Sequence, residues 1–119
     1  MATAVKRKLS GSTNGKPIKV AATATLGTTI HTAVAGTTPG TFDEIWLWAY
    51  NSKASAVVLT IEFGGAGVPD QNIVLTLPSK VGLVPILPGL ILQNEMVVTA
   101  FADTADVITL SGFVNAITD

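Results

Sequence analysis

Residues 43–51 read DEIWLWAYN, and this stretch decides the fold. In an extended chain, successive side chains point to opposite faces. Ile45, Leu47 and Ala49 therefore share one face, and Trp46, Trp48 and Tyr50 share the other. A 3.6-residue helical period would scatter both sets around an axis. Both faces of this strand are apolar or aromatic, so both need cover. Either the tryptophans enter the core and Ile45 and Leu47 meet a neighbouring subunit, or the reverse holds. A loop or the N-terminal segment is the alternative cover for the outer face.

Working outward, the same period recurs. Residues 55–63 (SAVVLTIEF) place Val57, Leu59, Ile61 and Phe63 on one face and Val58, Thr60 and Glu62 on the other. Residues 18–25, 28–34, 71–77, 96–102 and 106–117 are rich in Thr, Val and Ile, which pack well in strands and lose rotamer freedom in helices. Residues 81–87 and 90–93 flank Pro88-Gly89, which reads as a turn. No stretch has apolar spacing of three and four over several turns. About nine short strands with Gly/Pro punctuation predict an all-β chain: a single-domain antiparallel β-sandwich, jelly-roll-like, over residues 18–119.

Residues 1–17 read differently. They mix Lys, Ser, Gly, Thr and Asn and end in the turn signals Asn14-Gly15 and Lys16-Pro17. The expectation is an extended basic arm. Residues 1–19 carry Lys6, Arg7, Lys8, Lys16 and Lys19 with no acid, a local charge of +5. Residues 20–119 carry Lys53 and Lys80 against eight acids, a local −6. A basic arm on an acidic body suits docking onto an acidic surface.

Composition narrows the function. The chain has 119 residues, 48% hydrophobic and only 13% charged, where a typical globular domain has about 25% charged residues. Mean hydropathy is +0.52. The longest apolar run, residues 81–92, is too short for a spanning helix and is broken by Pro85, Pro88 and Gly89. No apolar stretch follows the basic N-terminal residues, so no secretory signal is read there. The surplus apolar surface therefore predicts subunit contacts, a homo-oligomer or docking on a larger assembly, and no membrane.

No chemistry emerges from the motifs. The absence of cysteine removes disulfides, thiolate catalysis and Cys-based zinc sites. His31 is the only histidine and reads as a surface or interface strand residue. No G-x-S-x-G elbow occurs. Asp43 and Glu44 are adjacent and point to opposite faces, and Glu62 on the next strand has only a generic relation to either. Asp103 and Asp106 flank a tight loop with oxygen ligands suited to calcium, but read more simply as acids ending two strands. Gly64-Gly65-Ala66-Gly67 lacks the following Lys-Ser/Thr and helix of a phosphate loop. The basic segment holds no aromatic for base stacking, and the acidic body repels phosphate. The reading is no enzyme, no catalytic residue, no cofactor, no metal and no nucleic acid.

The runs TTIHTA, DEIWLWAYN, LTIEFGG, the PGL turn and the closing GFVN strand together resemble small virion structural proteins of tailed bacteriophages, across residues 18–116. The resemblance implies a capsid decoration (cement) protein. Such a protein sits on the outer head surface of the virion, assembled in the host cytoplasm, and braces neighbouring copies of the major capsid protein. A tail, fibre or head–tail junction component is the first alternative. A carbohydrate-binding module for host attachment, with Trp46 and Trp48 as a stacking platform, is the second. Candidate interface residues are Lys6, Arg7 and Lys8 for docking and Trp46, Trp48 and Tyr50 as aromatic anchors, since aromatics and Arg dominate interface hot spots.

Overall fold

The computed structural model describes residues 2–119 and holds nine strands. They are β1 (Thr3–Lys8), β2 (Ile18–Lys19), β3 (Thr28–Thr32), β4 (Phe42–Asn51), β5 (Val57–Phe63), β6 (Asn72–Leu77), β7 (Val84–Leu92), β8 (Val97–Ala102) and β9 (Ile108–Thr118). Among the described residues there is no α-helix. The strands form two antiparallel sheets. Sheet A runs β1-β9-β4-β7, with β2 also paired to β9, and sheet B runs β3-β8-β5-β6. The eight strands β2 to β9 cross between the sheets at every step except the β5–β6 hairpin, in the wrapped order of a double Greek-key jelly roll. The all-β sandwich read from the sequence is the fold.

The alternation in residues 43–51 resolves in one direction. Ile45, Leu47 and Ala49 are fully buried between the sheets, facing Val57, Leu59 and Ile61 of sheet B in one apolar core. Trp46, Trp48 and Tyr50 lie half-buried on the outward face of sheet A. The side chains of the two inner faces interdigitate across a gap of about 10 Å, and on β4 the aliphatic set fills it.

The basic arm needs correction. Met1, where that reading begins, lies outside the described residues. Thr3–Lys8 is not a free arm: it pairs antiparallel with residues 113–118 of β9 as the edge strand of sheet A. Leu9 then turns into the sandwich and is 1% exposed. Ser10 and Gly11 cross to sheet B, where the Gly11 amide donates to the Ile30 carbonyl at 2.9 Å. The segment thus ties the edges of the two sheets together. The buried leucine offsets part of the chain freedom lost on ordering, and the ladder to β9 supplies further stabilisation.

Two other stretches differ from expectation. Of residues 18–25, only Ile18 and Lys19 pair in a ladder. Val20 stays in the core, its amide donating to the Ile108 carbonyl at 2.9 Å, and residues 21–25 then leave sheet A for the outward side of sheet B, where Thr25 Oγ1 donates to Glu62. The Pro88-Gly89 region forms one strand, Val84–Leu92, not two around a turn. The register of β7 on β4 shifts twice, passing over Gly89 and Ile86. Gly89 has φ +79°, and a Cβ there would stand 2.8 Å from the Trp46 ring. The bulge therefore carries both a left-handed backbone and an indole lying over it. Prolines 85 and 88 are tolerated because β7 is an edge strand, where a missing N–H breaks no ladder.

Candidate functional site: an aromatic face beside a basic edge

The outward face of sheet A is built by register. β4 and β9 pair so that Trp46 lies opposite Phe113, Glu44 opposite Asn115, Trp48 opposite Ser111 and Tyr50 opposite Thr109. The Trp46, Trp48 and Phe113 rings are nearly parallel. Their centroids are 6.5 Å apart for Trp46–Trp48, 6.2 Å for Trp46–Phe113 and 6.0 Å for Trp48–Phe113. Three near-equal spacings exclude a column, whose outer rings would stand twice as far apart. The rings form a cluster, with each pair worth about 0.5–1.5 kcal/mol beyond its buried area.

Polar groups frame this cluster. Lys6 of β1 places Nζ 4.3 Å from the Phe113 ring centroid. The carboxylate of Glu44 accepts hydrogen bonds from Asn115 Nδ2 at 3.1 Å and Trp46 Nε1 at 2.8 Å. The Asn115 bond, then the Trp46 bond, hold the Glu44 carboxyl below its ordinary value. Among the described residues, the Trp48 indole N–H and the Tyr50 hydroxyl have no partner in the chain.

Of the six residues read as interface candidates, the structure gathers Lys6, Trp46, Trp48 and Tyr50 on this outward face. Lys8, opposite Phe113, shares the face, and its Nζ donates to the Ser12 carbonyl at 3.1 Å. Arg7 lies opposite core-facing Val114 and points to the inner side. Phe113 is the member that sequence reading missed. Alternation in residues 106–117 is visible, but the pairing with Trp46 depends on register between strands 67 residues apart.

On the inner side lies a cavity of about 600 Å³ between β1, β3 and β9, lined among others by Arg7, Ser10, His31, Val34 and Ala116. His31 corrects the surface-residue expectation, being only 4% exposed. A bulge in β3 slips the register between Thr29 and His31, so Ile30 and His31 both turn inward. The Ser10 amide donates to His31 Nδ1 at 3.0 Å, which leaves the proton on Nε2. Nε2–H then donates to Asp43 Oδ2 at 2.7 Å, an oxygen that also accepts the Val34 amide at 3.2 Å. Ser10 Oγ accepts from the Thr32 amide at 2.7 Å. Serine, histidine and aspartate thus meet, but the basic nitrogen faces an amide and not the hydroxyl. A nucleophile–base pair needs that hydroxyl on the imidazole, so the cluster acts as a structural knot.

The remaining candidates stay apart. Among the described residues no group of three or more His, Asp or Glu side chains could hold a metal ion. Asp106 sits 4.0 Å from Lys19, with both side chains exposed. The Gly64–Gly67 loop is pinned by Gln71, whose Oε1 accepts the Gly67 amide at 2.9 Å. Glu62 does not face Asp43 or Glu44, since it points outward from the other sheet. No helix among the described residues is long and apolar enough to cross a membrane. Comparison with family models, curated proteins and solved structures found no match to this chain.

Proposed function

We propose that this chain is a non-catalytic structural protein of a phage virion, a decoration (cement) protein that docks on the outer head surface and braces neighbouring coat subunits. The observation that carries the reading is the outward aromatic cluster of Trp46, Trp48 and Phe113, with two polar hydrogens that find no partner in the chain. Water reaches these half-buried donors in the free chain, and aromatic side chains with such a polar tip are enriched at protein interfaces, where the partner supplies the acceptor. A standard interface covers about 800 Å² per partner, roughly an eighth of the 6169 Å² that this chain exposes. Lys6 and Lys8 rim the cluster with positive charge that suits an acidic coat surface. Exposed Ile91 on the β7 edge and Met96 nearby are additional apolar surface for a homo-oligomer.

The test is occupancy on purified heads. Deleting the N-terminal segment is unsuitable, because it removes β1 and Leu9. Trp48→Ala with Tyr50→Ala spares the core and is expected to lower occupancy at least tenfold, which is about 1.4 kcal/mol. Unchanged occupancy rejects the docking face. Copy number separates the positions: hundreds per particle match decoration, and six or twelve match a tail or junction component. The two free donors beside near-parallel rings also favour a second reading, a glycan-binding module for host attachment. A glycan array without signal removes it.

A further inference from the structure

We propose that the free edge of β1 takes an extended acidic segment of a partner protein as an added strand, with an apolar side chain of that segment seated in the cavity beneath Arg7. This deepens the docking reading by naming the chemistry of the segment bound at the basic edge.

Sheet A ends at β1, whose six residues are all exposed. Among the described residues, the β1 backbone pairs with β9 and with no strand beyond it. An unpaired edge is a template for strand addition, in which the main chain supplies affinity and pockets for alternate side chains supply specificity. Register fixes what those pockets want. Lys6 and Lys8 lie opposite Asn115 and Phe113 and point outward, while Arg7 between them lies opposite Val114 and points inward. The inward side opens on the 600 Å³ cavity, whose wall includes Val34, Val114, Ala116 and Ile117. The polar atoms of His31 and Asp43 there are already engaged with each other. An added strand reading acid–apolar–acid would set two carboxylates against Lys6 and Lys8 and drop the apolar residue into the cavity. Arg7, which makes no ion pair among the described residues, contributes the third positive charge.

A second copy of this chain does not fit. Pairing β1 with β1 would oppose Lys and Arg to Lys and Arg, and like charges opposite each other destabilise a sheet. The acids of this chain do not form an exposed alternating strand. Asp43 and Glu62 are buried, Glu44 lies on a strand paired on both sides, and Asp70, Glu95, Asp103, Asp106 and Asp119 lie outside the strands.

The test uses the full chain and a fluorescein-labelled heptapeptide that alternates glutamate with valine. Anisotropy should show saturable binding that weakens with salt and weakens at least tenfold in the Lys6→Gln/Lys8→Gln double variant, with its thermal midpoint checked beside the parent. Backbone amides of residues 3–8 should gain hydrogen-exchange protection on binding. A peptide with a central proline should bind at least tenfold more weakly. Absence of binding, equal binding by the proline peptide, or binding without amide protection overturns the proposal. So does a concentration-dependent dimer that protects the same amides. Peptide binding together with empty heads leaves this inference standing and rejects the docking reading. Head occupancy without peptide binding does the opposite.

Discussion

The two outward faces of the sandwich are finished in opposite ways. Sheet B is covered by the chain itself over β8 and the Glu62 end of β5, while Val58 and Val74 farther along the same face stay exposed. Residues 21–27 form this cover, and the Glu62 carboxylate beneath them is 0% exposed. That carboxylate accepts from Thr25 Oγ1, from the Gly27 amide at 2.7 Å and from Thr99 Oγ1 at 2.7 Å. The cover fits because residue 27 is glycine: a Cβ there would stand 2.4 Å from the Ala100 backbone. Sheet A has no such cover. Its outward face carries half-buried aromatics, a cation and two free donors. A buried charge is tolerable only when fully hydrogen-bonded, so the sheet B face is committed to its own loop. The sheet A face can lose its water to another molecule whose acids meet Lys6 and Lys8, because Glu44 is already hydrogen-bonded within the chain.

This contrast can be broken at several points. Removing the Glu62 acceptor in Glu62→Ala leaves buried donors unpartnered and should cost about 3–4 kcal/mol, measured by urea unfolding. Trp46→Ala removes a half-buried ring from the cluster and should cost about 2 kcal/mol, with a blue-shifted residual tryptophan emission arguing against it. Gly89→Ala strains the bulge and crowds Trp46, for a loss of about 1–2 kcal/mol; a near-ultraviolet circular dichroism change should accompany it. Tyr50→Phe deletes only a free hydroxyl and should change stability by under about 0.5 kcal/mol.

Acid sharpens the same comparison. Burial pushes the Glu62 carboxyl up, but its three hydrogen bonds outweigh that and leave it below its ordinary value. A carboxyl lowered in the folded state contributes stability that is present above the ordinary carboxylate range and lost as pH falls through the folded value. The urea midpoint should therefore drop on acidification from pH 6 through the carboxylate range, and drop less in Glu62→Gln. An equal drop in both would remove Glu62 as a source of the acid sensitivity.

Local pattern made part of this legible. Ile45, Leu47 and Ala49 against Trp46, Trp48 and Tyr50 is a two-residue period that survives in any sheet. Val57, Leu59 and Ile61 repeat it. The Trp-bearing half of the candidate site was visible for that reason. Phe113 was not, because its place depends on pairing across the sheet. Thr3–Lys8 reads as a polar tail because every residue of an edge strand can be exposed, and the one clue is Leu9, a lone apolar side chain after three cations. His31 reads as a strand-surface residue because a bulge, which flips one side chain to the other face, leaves no mark on periodicity.

The sequence by itself determined the all-β character, the two-faced β4, the lack of cysteine chemistry and the separation of basic and acidic regions. These follow from composition and from a period of two, which are local properties. Only the tertiary structure decided which face of β4 is core, that the basic segment is an edge strand, that Pro88-Gly89 is a bulge under Trp46, and that Glu62 and His31 are buried and satisfied. Each of those depends on register between distant strands, where a shift of one residue reverses inside and outside.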